Sequence, residues 1–221
     1  MAPFGKIHSY SNNYRVQRAQ AIAELNGLEL ETTPDFQIGV TNKTEEFLKK
    51  FPLGKVPAFE SADGKFLLTE GQAIARYLAE SGPKAGQLVG NDAQTRAVIE
   101  QWACFSEQEL ATNLIPPLLM VTLKLIPYDE EKYKTNVANL ERAVKRLEGA
   151  LKGKKYLVGD QLTLADIMVL GPMHLAAKFL VDAEMRKEAP SIEGYLKSLL
   201  EVPELKKAFG ELELCEKRAT L

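Results

Sequence analysis

One stretch with a proline before an apolar strand constrains the fold of this chain more than any other feature. Residues 53–59 (LGKVPAF) read as a short strand that is entered through a Val-Pro bond. Residues 70–78 (EGQAIARYL) then read as an acidic residue opening an amphipathic helix. Together the two segments predict a backbone edge and a helix N-terminus that face one small ligand.

The first part of the chain alternates between strand and helix patterns. Predicted strands cover residues 6–10, 28–33, 58–60 and 65–68, and predicted helices cover residues 14–26, 45–50 and 69–81. Ala62-Asp63-Gly64 separates the last two strands and is a hairpin signal. The resulting order, β-α-β-α-β-β-α, predicts a thioredoxin-like domain with a mixed four-stranded sheet at residues 1–82.

The remainder of the chain is helical in pattern. Residues 83–90 contain Gly and Pro and are interpreted as a linker, and residues 91–221 as an all-α bundle. Residues 91–122 predict a long helix that Pro116-Pro117 should kink. Residues 164–180 are mostly apolar, so we expect them at the centre of the bundle. The predicted fold class is therefore α/β plus all-α.

Composition excludes several classes of function. The net charge of −2 and a pI of about 5.9 argue against nucleic-acid binding by phosphate neutralisation. No run approaches the length of a membrane-spanning segment, and the N-terminus lacks an apolar secretory core. Cys104 and Cys215 are the two cysteines, without metal-ligand spacing, so neither a metal site nor a disulfide framework is expected. A reducing cytoplasm is the expected location.

The two opening segments resemble the glutathione-binding domain of the cytosolic glutathione transferases. Residues 156–160 (YLVGD) and 162–166 (LTLAD) resemble the start of the core helix in the second domain of that superfamily. Within the superfamily the chain most resembles the transferase-like domain of the gamma subunit of translation elongation factor 1B. The passages that carry this finer match are residues 51–59 (FPLGKVPAF), Pro127-Tyr128 before a lysine-rich helix, and residues 214–217 (LCEK).

The resemblance implies a set of glutathione-binding residues. Pro57 should follow a cis bond that turns the backbone of Val56 toward the peptide, and Lys55 should reach its glycine carboxylate. Glu70 should hold the γ-glutamyl ammonium. Gly71 stands where the family has a Ser that binds the α-carboxylate, and a lost hydrogen bond to a charged group is worth about 1.5–3 kcal/mol. Other candidate contacts are Gln72, as a replacement donor, and Lys43 and Lys50, which are close in sequence to Lys55.

Ser11 is the candidate for activation of the glutathione thiol. It begins a Ser-x-x-x-Arg spacing that is typical of serine-type members, and a hydroxyl there would stabilise the thiolate. Asn12 and Asn13 are the alternative donors, and Ser11 could instead be only the N-cap of the following helix. Tyr10 is assigned to the first strand and is expected to turn elsewhere.

The predicted function is glutathione transfer to an apolar electrophile by a homodimer, with glutathione as substrate and no separate cofactor. Trp102 and Phe105 either line the electrophile pocket or pack in the core. The competing hypothesis is a weakly catalytic or non-catalytic binding module of the elongation factor 1B complex. Thr163 and Asp166 form a capping box and, like His8 and His174, are given structural roles.

Overall fold

The first part of the chain is a four-stranded sheet with helices packed on it. A computed structural model describes residues 3–221. Its first elements are the strands β1 (Gly5–His8), β2 (Leu30–Thr32), β3 (Ala58–Ser61) and β4 (Leu67–Leu68) and the helices α1 (Tyr14–Leu25), α2 (Glu45–Lys50) and α3 (Gly71–Glu80). The strand order is β2-β1-β3-β4, with β1 parallel to β2 and antiparallel to β3, and β3 antiparallel to β4. The predicted mixed sheet is therefore confirmed.

Every regular element after this sheet is helical. The helices are α4 (Ala85–Val89), α5 (Ala93–Phe105), α6 (Thr112–Pro117), α7 (Glu130–Leu151), α8 (Leu164–Phe179), α9 (Ala183–Glu188), α10 (Pro190–Leu199) and α11 (Pro203–Phe209). The short helix α4 lies inside the segment that the sequence predicts as a linker. The helical class predicted for the second part of the chain is confirmed.

The predicted long helix at residues 91–122 is divided into pieces. The π-helical segments Ser106–Ala111 and Leu118–Thr122 lie on either side of α6, which ends with Pro116 and Pro117. A proline nitrogen has no hydrogen to donate, so the regular helical ladder is interrupted there. The first π-helical segment also carries Glu107, which reaches back to α1.

Helix α8 forms the centre of the molecule. The predicted capping box is present at its start, where Asp166 Oδ2 accepts hydrogen bonds from the backbone N–H and the hydroxyl of Thr163. The helix packs against α1, α3, α5 and α10. A Cβ added to Gly171 would lie 2.8 Å from Cδ2 of Tyr14, so only glycine allows α8 to approach α1 this closely. This contact fixes α1, and with it the loop after β1, relative to the helical bundle.

Candidate functional site

One cavity collects the binding residues that the sequence predicts. It has a volume of about 1010 Å³ and opens between the start of β3, the N-terminus of α3 and the end of α5. Lys55, Val56, Pro57, Glu70 and Gly71 all line it. Two segments that are separate in the sequence therefore meet at one surface, as the motif pair predicts.

The backbone of Val56 forms an unoccupied edge of this cavity. Strand β3 begins at Ala58, and the Val56–Pro57 peptide bond is cis. Within residues 3–221, neither the N–H nor the C=O of Val56 forms a hydrogen bond with another residue. An extended peptide could therefore pair with both groups, as an added strand pairs with a sheet edge.

Glu70 lies at the N-cap of α3 in a rare backbone conformation. Its φ of 66° falls in the left-handed region, which non-glycine residues seldom adopt and which concentrates at functional sites. Its side chain is exposed and does not cap its own helix. The carboxylate and the first N–H groups of α3 are thus both available to a ligand in the cavity.

Charge pairing around the cavity leaves two side chains without a partner. Four of the six charged side chains that line the cavity are paired with one another: Arg15 with Glu107 at 2.8 Å and Arg76 with Glu100 at 3.0 Å. Lys55 and Glu70 have no ion-pair partner in the described part of the chain. Among the described residues that line it, the cavity therefore offers one free cation, Lys55, and one free anion, Glu70.

Gln72 and Lys50 have partners elsewhere, and Lys43 is not among the residues that line the cavity. The amide of Gln72 donates to Glu100 and lies 3.5 Å from Sγ of Cys104, so it is not a free replacement for the missing hydroxyl. Lys50 pairs with Glu60 at 2.8 Å, and Lys43 lies outside the cavity lining. Of the three lysines considered from sequence, Lys55 alone lines the cavity.

Ser11, Asn12 and Asn13 line a second, smaller cavity of about 460 Å³ beside the first. Asn13 is the N-cap of α1: its side chain accepts from the N–H of Arg15 at 3.0 Å and donates to Ser9 at 3.1 Å. The N-cap role that the sequence left open for Ser11 therefore belongs to Asn13. Ser11 and Asn12 are exposed, and Asn12 has a φ of 62°.

Tyr10 lines both cavities and is the site residue that the sequence analysis misplaced. Strand β1 ends at His8, so Tyr10 lies in the following loop rather than in the strand. The residue is 39% exposed. Expecting it to turn away was wrong, because the strand ends earlier than the apolar alternation indicates.

The aromatic residues of α5 pack in the core. Trp102 is buried, with its ring edge-to-face on Phe105 at 5.2 Å and the guanidinium of Arg146 5.1 Å from its ring centre. Neither ring lines the large cavity. The apolar residues that line the cavity include Ile38 and Leu53, which are 55% and 69% exposed.

Both histidines have structural partners. Nδ1 of His8 lies 2.7 Å from the hydroxyl of Thr33 and Nε2 lies 3.1 Å from Glu60, while Nε2 of His174 lies 3.0 Å from the carbonyl of Glu211. Burial lowers the pKa of both imidazoles. Across residues 3–221, no group of three or more His, Cys, Asp or Glu side chains could hold a metal ion, and no described helix is long and apolar enough to cross a membrane.

The fold and this cavity define a glutathione transferase type of protein, and comparisons with known proteins agree. The "Glutathione S-transferase, N-terminal domain" model matches residues 5–80 and the "Glutathione S-transferase, C-terminal domain" model matches residues 99–203. The chain is 45% identical over 216 residues to "Glutathione S-transferase-like protein LUC7" from Fusarium sp, covering 98% of this chain and 97% of that protein. It therefore belongs to the glutathione S-transferase family.

The elongation factor branch is also represented among the relatives. The chain is 33% identical over 221 residues to elongation factor 1-gamma-A from Xenopus laevis, covering 97% of this chain but 48% of that protein. The crystal structure of the GST-like domain of elongation factor 1-gamma from Saccharomyces cerevisiae has the same fold, with a TM-score of 0.80, 23% identity and coverage of 100% of this chain and 99% of that one. The comparisons therefore confirm the resemblance to the glutathione transferase family. They also confirm that elongation factor 1-gamma is a relative of this chain.

Proposed function

We propose that this protein binds glutathione in the large cavity and transfers it, through its thiolate, to an electrophilic small molecule. The observation that supports this most is the pattern of free charges along the cavity. Glu70 and Lys55 are unpaired within the described residues, and the unpaired backbone edge of Val56 shares their cavity. Glutathione is an extended peptide that carries an ammonium and two carboxylates, so it complements each of these groups.

The proposed binding mode follows the chemistry of each group. The central amides of glutathione pair with the N–H and C=O of Val56, and the γ-glutamyl ammonium pairs with Glu70. Lys55 attracts the glycine carboxylate. The α-carboxylate lies at the N-terminus of α3, where free N–H groups favour an anion.

The transfer step requires a stabilised thiolate. The sulfur of glutathione loses its proton to solvent, attacks the electrophilic carbon and forms a carbon–sulfur bond as the leaving group departs with the bonding electrons. We propose Ser11 as the donor that stabilises the thiolate, with Asn12 or Asn13 as alternatives. Tyr10, which the sequence analysis set aside because of its expected place in the first strand, is a further alternative because it lines both cavities.

Exposed apolar residues at the same cavity favour an apolar second substrate. Ile38 and Leu53 are more than half exposed, although aliphatic side chains of this size are usually buried. An apolar electrophile would cover them while its reactive carbon faces the thiolate.

A second candidate function is a binding module of the elongation factor 1B complex. The observation that favours it is the match to elongation factor 1-gamma over 97% of this chain. In this function the same fold contacts other subunits of the complex, and catalysis is weak or absent. Under either function we propose a cytoplasmic homodimer, as the family resemblance implies.

A glutathione titration followed by thiol titration tests the two functions. We expect calorimetry to detect glutathione binding and ultraviolet thiolate absorbance to show a bound thiol pKa below the ordinary value of about 8.5. Ser11→Ala and Tyr10→Phe form a matched pair, since each removes one hydroxyl. The variant that raises the bound thiol pKa identifies the donor, and a bound thiol with an unshifted pKa in the wild type would favour the binding module.

A further inference from the structure

The second, smaller cavity differs in chemistry from the large one, and its lining is mostly polar. We infer that it binds the polar end of an amphipathic second substrate, and that this end carries an ammonium group that pairs with Asp35. The inference rests on the proposed glutathione function and deepens it by naming the class of electrophile. The apolar part of such a substrate would contact Ile38 and Leu53 in the large cavity.

The second cavity adjoins the place of the proposed transfer step. Tyr10 lines both cavities, and Ser11, the proposed thiolate donor, lines the second. The segment between β2 and α2 also reaches both cavities, since Asp35 lines the second and Ile38 lines the first. A substrate whose reactive carbon faces a thiolate at these donors can therefore extend into both cavities.

Most polar side chains around the second cavity are available to a ligand. Ser9, Asn13 and Thr33 have hydrogen-bond partners within the protein. The other polar side chains of the lining have none among residues 3–221, and they include the half-buried amides of Gln17 and Gln20. Amides and hydroxyls that converge on one cavity without protein partners favour a ligand that forms hydrogen bonds.

The charge of the second cavity selects the sign of that ligand. Asp35 is the one charged side chain among the described residues that line it, and it has no ion-pair or hydrogen-bond partner among them. Lys207, next to the lining residue Ala208, is itself paired with Glu24 at 2.8 Å. An unneutralised carboxylate attracts an ammonium and repels a carboxylate, so a cationic end fits this cavity best.

Glutathione conjugates with matched tails test this contact without requiring turnover. They form from glutathione and a chloronitrobenzamide, in which the sulfur bonds to the ring carbon and chloride leaves. The amide tail ends in an ammonium in one conjugate of each pair and in a methyl group in the other, and several tail lengths are made. Calorimetry on the wild type should show the ammonium form binding about threefold to fivefold more tightly at the best length, the scale of a solvent-accessible ion pair.

Asp35→Asn should abolish this preference while the methyl-ended conjugates bind as before. Asp35 has a φ of 51°, a left-handed conformation that asparagine also tolerates, so the fold should be unaffected. Glu31→Gln is the matched control: Glu31 is exposed on β2 and does not line the cavity, so this variant loses the same charge but should keep the preference.

Two kinds of failure can be told apart. If the wild type binds glutathione but prefers the ammonium form at no tail length, the inference is overturned alone. A preference that persists in Asp35→Asn, or that is lost equally in Glu31→Gln, would overturn it as well. A wild type that binds neither glutathione nor any conjugate would overturn the proposed function, and this inference with it.

Discussion

At the scale of single residues, Glu70 combines an unusual backbone conformation with an unpaired charge. Its left-handed φ turns the chain so that its side chain and the start of α3 both reach the cavity. Such a conformation is costly for a residue with a Cβ, and glycine would adopt it without cost. A glutamate at this position therefore supports the proposed binding role of its carboxylate.

We expect Glu70→Gln to weaken glutathione binding by about tenfold to a hundredfold, since a hydrogen bond between two charged groups is replaced by a neutral one. The substitution keeps the size of the side chain and the φ requirement, so the melting temperature should stay the same. Glu29→Gln is the control, because Glu29 is also exposed and lies outside the cavity. Calorimetric titration of both variants with glutathione measures this. If Glu70→Gln binds glutathione as tightly as Glu29→Gln does, Glu70 does not contact the ligand.

At the scale of elements, the start of α8 organises the helical bundle around one buried carboxylate. Asp166 accepts from the N–H groups of Leu157 and Thr163 and from the hydroxyls of Thr163 and Tyr195, at distances between 2.8 and 3.1 Å. Burial raises the pKa of this carboxyl even though all four donors favour its charged form. The same residue thus caps α8, holds the preceding loop and anchors α10.

Asp166→Ala should lower the free energy of unfolding by at least about 3 kcal/mol, because several buried donors lose their acceptor at once and each costs about 1–3 kcal/mol. Asp160→Ala is the matched control: Asp160 is exposed and close in sequence. Urea unfolding of both variants provides the measurement. Comparable midpoints for the two variants would show that the capping box contributes little to stability.

At the scale of the whole molecule, a cluster of two arginines and one glutamate joins the sheet domain to the helical bundle. Glu107, after α5, accepts from Arg15 and from the fully buried Arg18 of α1. Burial alone would raise the pKa of Glu107, but the two guanidinium groups more than offset this and hold it below its ordinary value of 4.5. The contribution of this cluster to stability is therefore present above about pH 4.5 and is lost as the pH falls through the lowered pKa.

Glu107→Gln should reduce the free energy of unfolding by about 3–5 kcal/mol at neutral pH, since the buried Arg18 is left without its counter-charge. The difference from the wild type should begin to shrink below about pH 4.5 and should disappear as the pH falls through the lowered pKa, where the wild-type carboxyl is protonated too. Glu109→Gln, on the same π-helical segment but exposed, should behave as the wild type. Denaturant unfolding at several pH values measures this, and a difference independent of pH would contradict the assignment.

Local sequence patterns were sufficient for most of the elements and for the candidate binding residues that line the large cavity. The alternation of strands and helices predicts the mixed sheet, and Thr163 with Asp166 predicts the start of α8, because these signals act over a few residues. Residues 55–57 and Glu70 with Gly71 meet at one cavity because the first segment precedes β3, the second follows β4, and these two strands are antiparallel. Whether Ser11, Asn12 or Asn13 activates a thiol stays a prediction.

Only the tertiary structure decides which polar side chains have a hydrogen-bond or ion-pair partner and which remain available to a ligand. Tyr10 lines the cavity because β1 ends at His8, the amide of Gln72 donates to Glu100 of α5, and Arg15 of α1 pairs with Glu107 after α5. Each of these facts depends on how elements distant in sequence pack against one another. The sequence by itself determined the fold class and which segments line the candidate cavity, because helix and strand signals are local, whereas packing decided the charge pairing around that cavity.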